Sequence, residues 1–441
     1  MITKLFQLYH KKASDAVFAF QYFLAIRFVV SLLVSVLMVK SALPADQLGF
    51  YEVIIFILTS VSFFWSMGMK NALLSFYPSV PEPEKQTLLV TVFWILTGIS
   101  LVVGIGMYAL SNFFIDIFTN FDYVPAMGYG AIYLSLSVPL VMIETIFYLR
   151  GDARSLMGYS HWSHAILFGL MFMVTIWSPD LPSFFMAGIF WSCMRWIYMM
   201  SAVLEGHLLT WNRKLARTFI LFSLPLILNV LLGSVMDMID GLFVAHYFEE
   251  SFFPIFRYGA REMPFSTLLF SSLSAALIPL LIKDGMSSIQ VKIRVTNLMH
   301  WVFPLAIILM FISPMIFPLV YHPRFQQSAF IFNIYLLILT SRVLIPQAYN
   351  FALHQHRIIV WTSVFEIIVN IFLSFWWVQY WGVYGLAMAT VVAYFVQKLI
   401  LIIYNKQVNH ISLGQYLPMK WYLIYTCLMV LSFFISNLIY Q

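Results

Sequence analysis

Arg257 and Arg261 stand four residues apart in the apolar stretch Phe256–Lys283, so on a helix they share one face. Two guanidinium groups on one face suit a phosphate, because each presents a planar fork of N–H donors to its oxygens. Glu262 follows directly, and Pro264 and Pro279 interrupt the same stretch. The segment before it, Ser223–Tyr247, brings Asp237 and Asp240, one helical turn apart. Together with Glu262, these carboxylates could bind a coupling proton or Na⁺, or neutralise the arginines. Arg27 lies in the run FLAIRFVVSLLVSVL, Arg342 stands beside Pro346, and Arg195 is flanked by aromatics in WSCMRWIYMM. Arg27, Arg257, Arg261 and Arg342 are the candidate phosphate ligands. Against that role, Arg27 could snorkel to the inner face, and Arg257 and Arg261 to the outer one or pair with Glu262, Asp237 or Asp240. Arg195 is a substrate contact or a cation–π packing residue. Glu144 and Glu366 are proton-relay candidates, with structural hydrogen bonding as the alternative. Glu52, near a span end, is expected to be solvated.

These charges matter because of what surrounds them. Hydrophobic residues make up 62% of the chain and charged ones 10%, against about 45–50% and about 25% in soluble domains. The chain therefore reads as an all-α integral membrane protein with no room for a large soluble domain. A buried charge in such a chain costs about 3 kcal/mol or more and turns toward protein or a watery cavity. Thirteen apolar runs are long enough to span: 18–39, 49–72, 87–110, 125–149, 157–177, 183–204, 217–246, 253–282, 297–320, 328–353, 358–380, 383–404 and 420–440. The N-terminal run shows no small-residue cleavage pattern and reads as the first span. With the N-terminus inside, the inner segments carry Lys4, Lys11, Lys12, Lys85, Arg150, Arg154, Arg213, Lys214, Arg217, Lys283, Lys292, Arg294, Arg357, Lys406 and Lys420, and the outer ones little beyond Lys40 and Arg324. The net charge of +6 is thus mainly a topology signal, and nucleic acid is not an expected partner. Cys193 and Cys427 lie in apolar runs, and no ligand set stands beside His161 and His164, so no disulfide framework, metal or other cofactor is expected beyond a coupling proton or Na⁺. There is no Walker loop, dinucleotide fingerprint or nucleophile elbow, so neither an enzyme nor an ATP-driven pump is indicated.

The chain also reads as doubled. Sliding the first half forward by about 200 residues sets Arg150–Arg154 on Leu353–Arg357 and Asn71-Ala-Leu on Ala275-Ala-Leu. The expected organisation is an N-terminal six-helix bundle (1–204), a cytoplasmic linker (205–216), a C-terminal six-helix bundle (217–405) and an appended span (406–441). Two such bundles make a V-shaped alternating-access transporter with a central cavity. A monomer is expected, since the two fused halves already form that cavity.

Tyr258-Gly-Ala-Arg-Glu-Met-Pro264 followed by Ser274-Ala-Ala-Leu-Ile-Pro279 resembles the eighth span of lipid II flippases of the MurJ type. Gly49-Phe-Tyr51 with Asn71-Ala-Leu-Leu-Ser-Phe-Tyr-Pro78 resembles the second span of O-antigen flippases of the Wzx type. Asn370 to Gly382-Val-Tyr-Gly-Leu-Ala387 resembles the eleventh and twelfth spans of both. These families belong to the multidrug/oligosaccharidyl-lipid/polysaccharide exporter superfamily, and the resemblance covers about residues 15–405. It implies a twelve-helix inverted V in a bacterial inner membrane, N-terminus cytoplasmic. It also implies transfer of an undecaprenyl-diphosphate-linked oligosaccharide between leaflets, with cavity arginines on the diphosphate. By position, Arg27 resembles the first-helix arginine of the family and Arg261 the eighth-span arginine. The chain lacks the two extra helices of lipid II flippases and has one appended span, which favours an O-antigen or capsule-type unit. The alternatives are lipid II as substrate and a cation-coupled multidrug exporter of the same superfamily.

Overall fold

The computed structural model of the chain describes residues 15–204, 210–260, 270, 273, 281 and 288–440. Every regular element among them is helical, as expected where the backbone must satisfy its own polar groups in lipid. The helices form two compact units, Met1–Ser234 and Val235–Gln441.

The first unit contains α1 (Ala16–Lys40), α2 (Ala45–Phe76), α3 (Glu82–Ala109), the short α4 (Ser111–Phe118), α5 (Met127–Ser137), α6 (Val141–Leu149), α7 (Ala153–Trp177) and α8 (Leu181–Tyr198). α5 and α6 are joined by a tight turn over Val138–Leu140, where Pro139 shifts the hydrogen-bond register. α1 packs along α7, α3 along α5, and α8 on both α5 and α7. Their shared core includes Phe23, Phe93, Leu140, Ile143, Leu156 and Tyr159. Asp152 and Asp180 start α7 and α8, their carboxylates accepting the N–H groups of Ser155 and Ser183, each at 3.0 Å. Burial pushes the Asp180 carboxyl up, but hydrogen bonds from Ser178 and Ser183 outweigh it and hold the group below its usual range.

α9 (Arg213–Tyr247) runs through the boundary between the units. The second unit continues with α10 (Phe253–Gly259), α11 (Ser288–Val320), α12 (Gln326–Leu336), α13 (Leu339–Arg342), α14 (Pro346–Ala352), α15 (His356–Gln407), α16 (Leu413–Tyr416) and α17 (Met419–Tyr440). A straight helix of 52 residues would reach roughly 78 Å at about 1.5 Å per residue, far beyond a hydrocarbon core of about 30 Å. α15 is instead broken at Gly382 (φ 55°, ψ −136°), a conformation only glycine adopts at little cost. Asn370 donates to Thr390 (2.8 Å) and Gln397 to Ser363 (3.0 Å), so the two arms fold back antiparallel. The path through α12 to α14 bends by 44°, with Ile345 left-handed just before Pro346.

Eight helices among the described residues are long and apolar enough to cross a membrane, and nine if the bent pair is one span. The expected spans 157–177 and 183–204 fall on α7 and α8, and those at 358–380 and 383–404 on the two arms of α15. Most of the expected span 253–282, and residues 205–209 of the expected linker, lie outside the described residues. The appended span is α17. Its Ser436 donates to the Met310 carbonyl (2.7 Å) and accepts from Asn333 (3.3 Å), which ties it to α11 and α12.

Candidate functional site

In the first unit three charges from three helices meet. Glu144 on α6 is 2% exposed at its side chain, and one carboxylate oxygen lies 4.0 Å from both Lys70 Nζ (α2) and an Arg27 guanidinium nitrogen (α1). Its other oxygen is buried and has no hydrogen-bond partner among the described residues. Lys70 is also buried and lies over the Phe20 ring at 5.0 Å, whereas 54% of the Arg27 side chain is open. Four ångströms is attraction without a hydrogen bond. The cluster thus holds two cations and one carboxylate, loosely joined, and has capacity for a further anion.

The second unit repeats the charge types on other helices. Glu366 and Lys398, on the two arms of α15, are buried and interact electrostatically, and Arg342 at the end of α13 acts on the same lysine. Arg342 also lies 5.8 Å from the Tyr394 ring centroid. A separate polar knot surrounds Asp240. Its carboxylate accepts hydrogen bonds from the Tyr335 and Thr390 hydroxyls, the latter at 2.7 Å. Thr390 in turn accepts from Asn370, whose carbonyl accepts from Ser374 (3.3 Å). The oxygens of Asp240, Tyr335 and Thr390 converge there, joined by hydrogen bonds to the carboxylate.

The expected site residues separate by place. Arg27 and Glu144 share the first cluster, Arg342 and Glu366 the second, and Asp240 the knot. Arg257 is partly buried on α10. Arg261 and Glu262 lie outside the described residues, as does the side chain of Asp237. Arg195 is held by protein: it donates to the Tyr159 hydroxyl (2.7 Å) and the Leu140 carbonyl (3.2 Å) and lies 4.3 Å from the Trp191 ring centroid. Packing therefore accounts for it. Glu52 departs from expectation. It is 5% exposed, because residues 45–76 form one continuous helix that carries it inside the bundle. Lys70 and Lys398 were not foreseen as site residues. The signal was present, since each is a lysine at the end or in the middle of an apolar run. His161 and His164 are apart in role: one bonds Tyr22 (2.7 Å) and the other donates to the Ser160 carbonyl (2.7 Å).

A profile of the family described as "Polysaccharide biosynthesis protein" matches residues 42–330. The chain belongs to this family. No curated protein sequence matches. Among solved structures the family member resembles a lipid II flippase, MurJ, in an inward closed conformation (TM-score 0.66, 15% identity, covering 95% of this chain and 98% of that one). It also resembles an inward-facing multidrug resistance transporter of the MATE family (TM-score 0.60, 11% identity, covering 86% and 93%). A third is a transporter of the MOP superfamily from Pyrococcus furiosus whose binding pocket is described as reversed in polarity (TM-score 0.54, 12% identity, covering 90% and 96%). The fold is thus that of the exporter superfamily whose motifs the sequence resembles.

Proposed function

We propose that this polysaccharide biosynthesis family member is a flippase that carries an undecaprenyl-diphosphate-linked oligosaccharide, an O-antigen, capsule or related envelope precursor, across the bacterial inner membrane by alternating access. The observation that carries the reading is the pairing of Arg27 and Lys70 with a single carboxylate, Glu144. A cationic drug would meet repulsion there, whereas a diphosphate would find donors with spare charge. The N-terminus is placed in the cytoplasm because the basic connectors fall on its side. Arg342 and Lys398 offer a second cationic pair beside Glu366 in the other unit. Coupling to a proton or Na⁺ is assigned to Asp240 and its hydroxyl partners, with Glu144 and Glu366 exchanging partners as the diphosphate arrives. The polyprenyl tail stays in lipid, so only the polar head needs a path.

The test is leaflet exchange in liposomes of a fluorescent undecaprenyl-diphosphate sugar, with and without imposed proton or Na⁺ gradients, beside transport of a fluorescent organic cation. Exchange of the sugar lipid without cation transport is expected. Cation transport with no exchange of any sugar lipid would turn the assignment to a multidrug exporter.

A further inference from the structure

At the end of the first unit opposite Lys85, Arg150 and Arg154, the chain from Tyr108 to Gly128 encloses a pocket of about 440 Å³. That volume is within the range of small-ligand sites. Tyr108, Ser111, Asn112 and Tyr123 line it beside apolar Ile115 and Val124. Both tyrosines are 69% exposed, so their rings are available for contact. The walls are built and held. The Tyr108 ring lies against Gly128, where a Cβ would stand 3.1 Å from Cε2. Ile115, Val124 and Met127 anchor the segment in the core. Thr119 closes the turn, donating to the Ile115 carbonyl (2.9 Å) and accepting the N–H of Phe121 (3.3 Å). Ala126 is left-handed (φ 63°), a conformation that a non-glycine residue keeps only where its surroundings impose it.

The lining selects the ligand by class. Residues 107–127 contain no Lys, Arg or His and include Asp116 and Asp122, so the pocket is ill suited to a phosphate or an anionic headgroup. Tyrosine faces carry negative quadrupole and meet C–H edges, while Asn and Ser satisfy hydroxyls. That pairing of an apolar face with hydroxyls is the chemistry of a pyranose ring. By contrast, the groove between α7 and α8 near Trp177 is mostly apolar, with Leu170, Met173, Val174, Met186 and Phe190 beside two serines, which suits hydrocarbon.

We propose that the Tyr108–Tyr123 pocket is a saccharide subsite, which receives a neutral pyranose of the glycan head group at the outer end of the first unit. This rests on the flippase reading for its substrate and on the positive-inside orientation for its side. The experiment is saturation-transfer NMR on the full chain in nanodiscs with N-acetylglucosamine, galactose, rhamnose and their disaccharides, with no lipid-linked substrate present. Transfer to at least one saccharide is expected, falling to the level of empty nanodiscs in Tyr108→Ala/Tyr123→Ala. The Tyr108→Phe/Tyr123→Phe variant, which keeps the rings, should retain most of it. No transfer to any saccharide, or transfer undiminished in the double alanine variant, would overturn the proposal and leave both tyrosines as interfacial anchors. Because binding is read without transport, this result and the leaflet-exchange result can fail separately.

Discussion

Lys70 and Glu144 show how a buried charge is kept in an apolar bundle. Each is tolerated because the other is near, so removing one partner is worse than removing both. Glu144→Ala should lower stability by about 3–5 kcal/mol, and Lys70→Met/Glu144→Leu, which replaces the pair by apolar side chains, should recover most of it. Thermal unfolding midpoints in detergent check this; a double variant no more stable than the single one would contradict it. Arg27 and Glu144 were legible from the sequence because a charge inside an apolar run stands out. Their meeting was not, since it depends on which faces of α1, α2 and α6 come together. Lys70 was hidden for a related reason: at the end of an apolar run it reads as an interfacial residue, yet α2 continues to Phe76 and keeps it inside. Trp191, one turn before Arg195 on α8, was within reach of the sequence, but Tyr159 comes from a position that only the packing of α7 on α8 connects to it.

Among the elements, α15 depends most on one residue. Gly382 reverses the chain so that Ser363, Asn370, Thr390 and Gln397 face one another. A side chain would find room, as the nearest atom is Phe248 Cζ at 3.9 Å, so any cost comes from the backbone. Gly382→Ala should destabilise by about 1–3 kcal/mol, measurable as a lower unfolding midpoint. A neutral effect would mean the arms alone dictate the turn. This reversal was legible, because two apolar runs meet at Trp381-Gly382 with too many residues for one crossing. The bend at Ile345–Pro346 was legible only as a proline. The Asp240 knot was half legible: the aspartate stands out, but Tyr335 and Thr390 are 95 and 150 residues away.

For the molecule as a whole, topology and cargo are the linked claims. In a background without Cys193 and Cys427, a cysteine at Asn120 should react with an impermeant maleimide from outside the cell, and one at Arg154 only after permeabilisation. The reverse pattern would invert the assigned orientation and move the Tyr108 pocket to the cytoplasm. The cargo claim rests on cations that outnumber the carboxylate they surround, and leaflet exchange by charge variants tests it most directly. Wild type, Arg27→Lys and Arg27→Ala would be reconstituted at matched amounts, each with its unfolding midpoint verified, and exchange of an undecaprenyl-diphosphate sugar followed. A charge-assisted hydrogen bond contributes about 1.5–3 kcal/mol, so Arg27→Ala should slow exchange about tenfold or more, with Arg27→Lys in between. Exchange by Arg27→Ala at the wild-type rate would contradict the account of a phosphate site in the first unit.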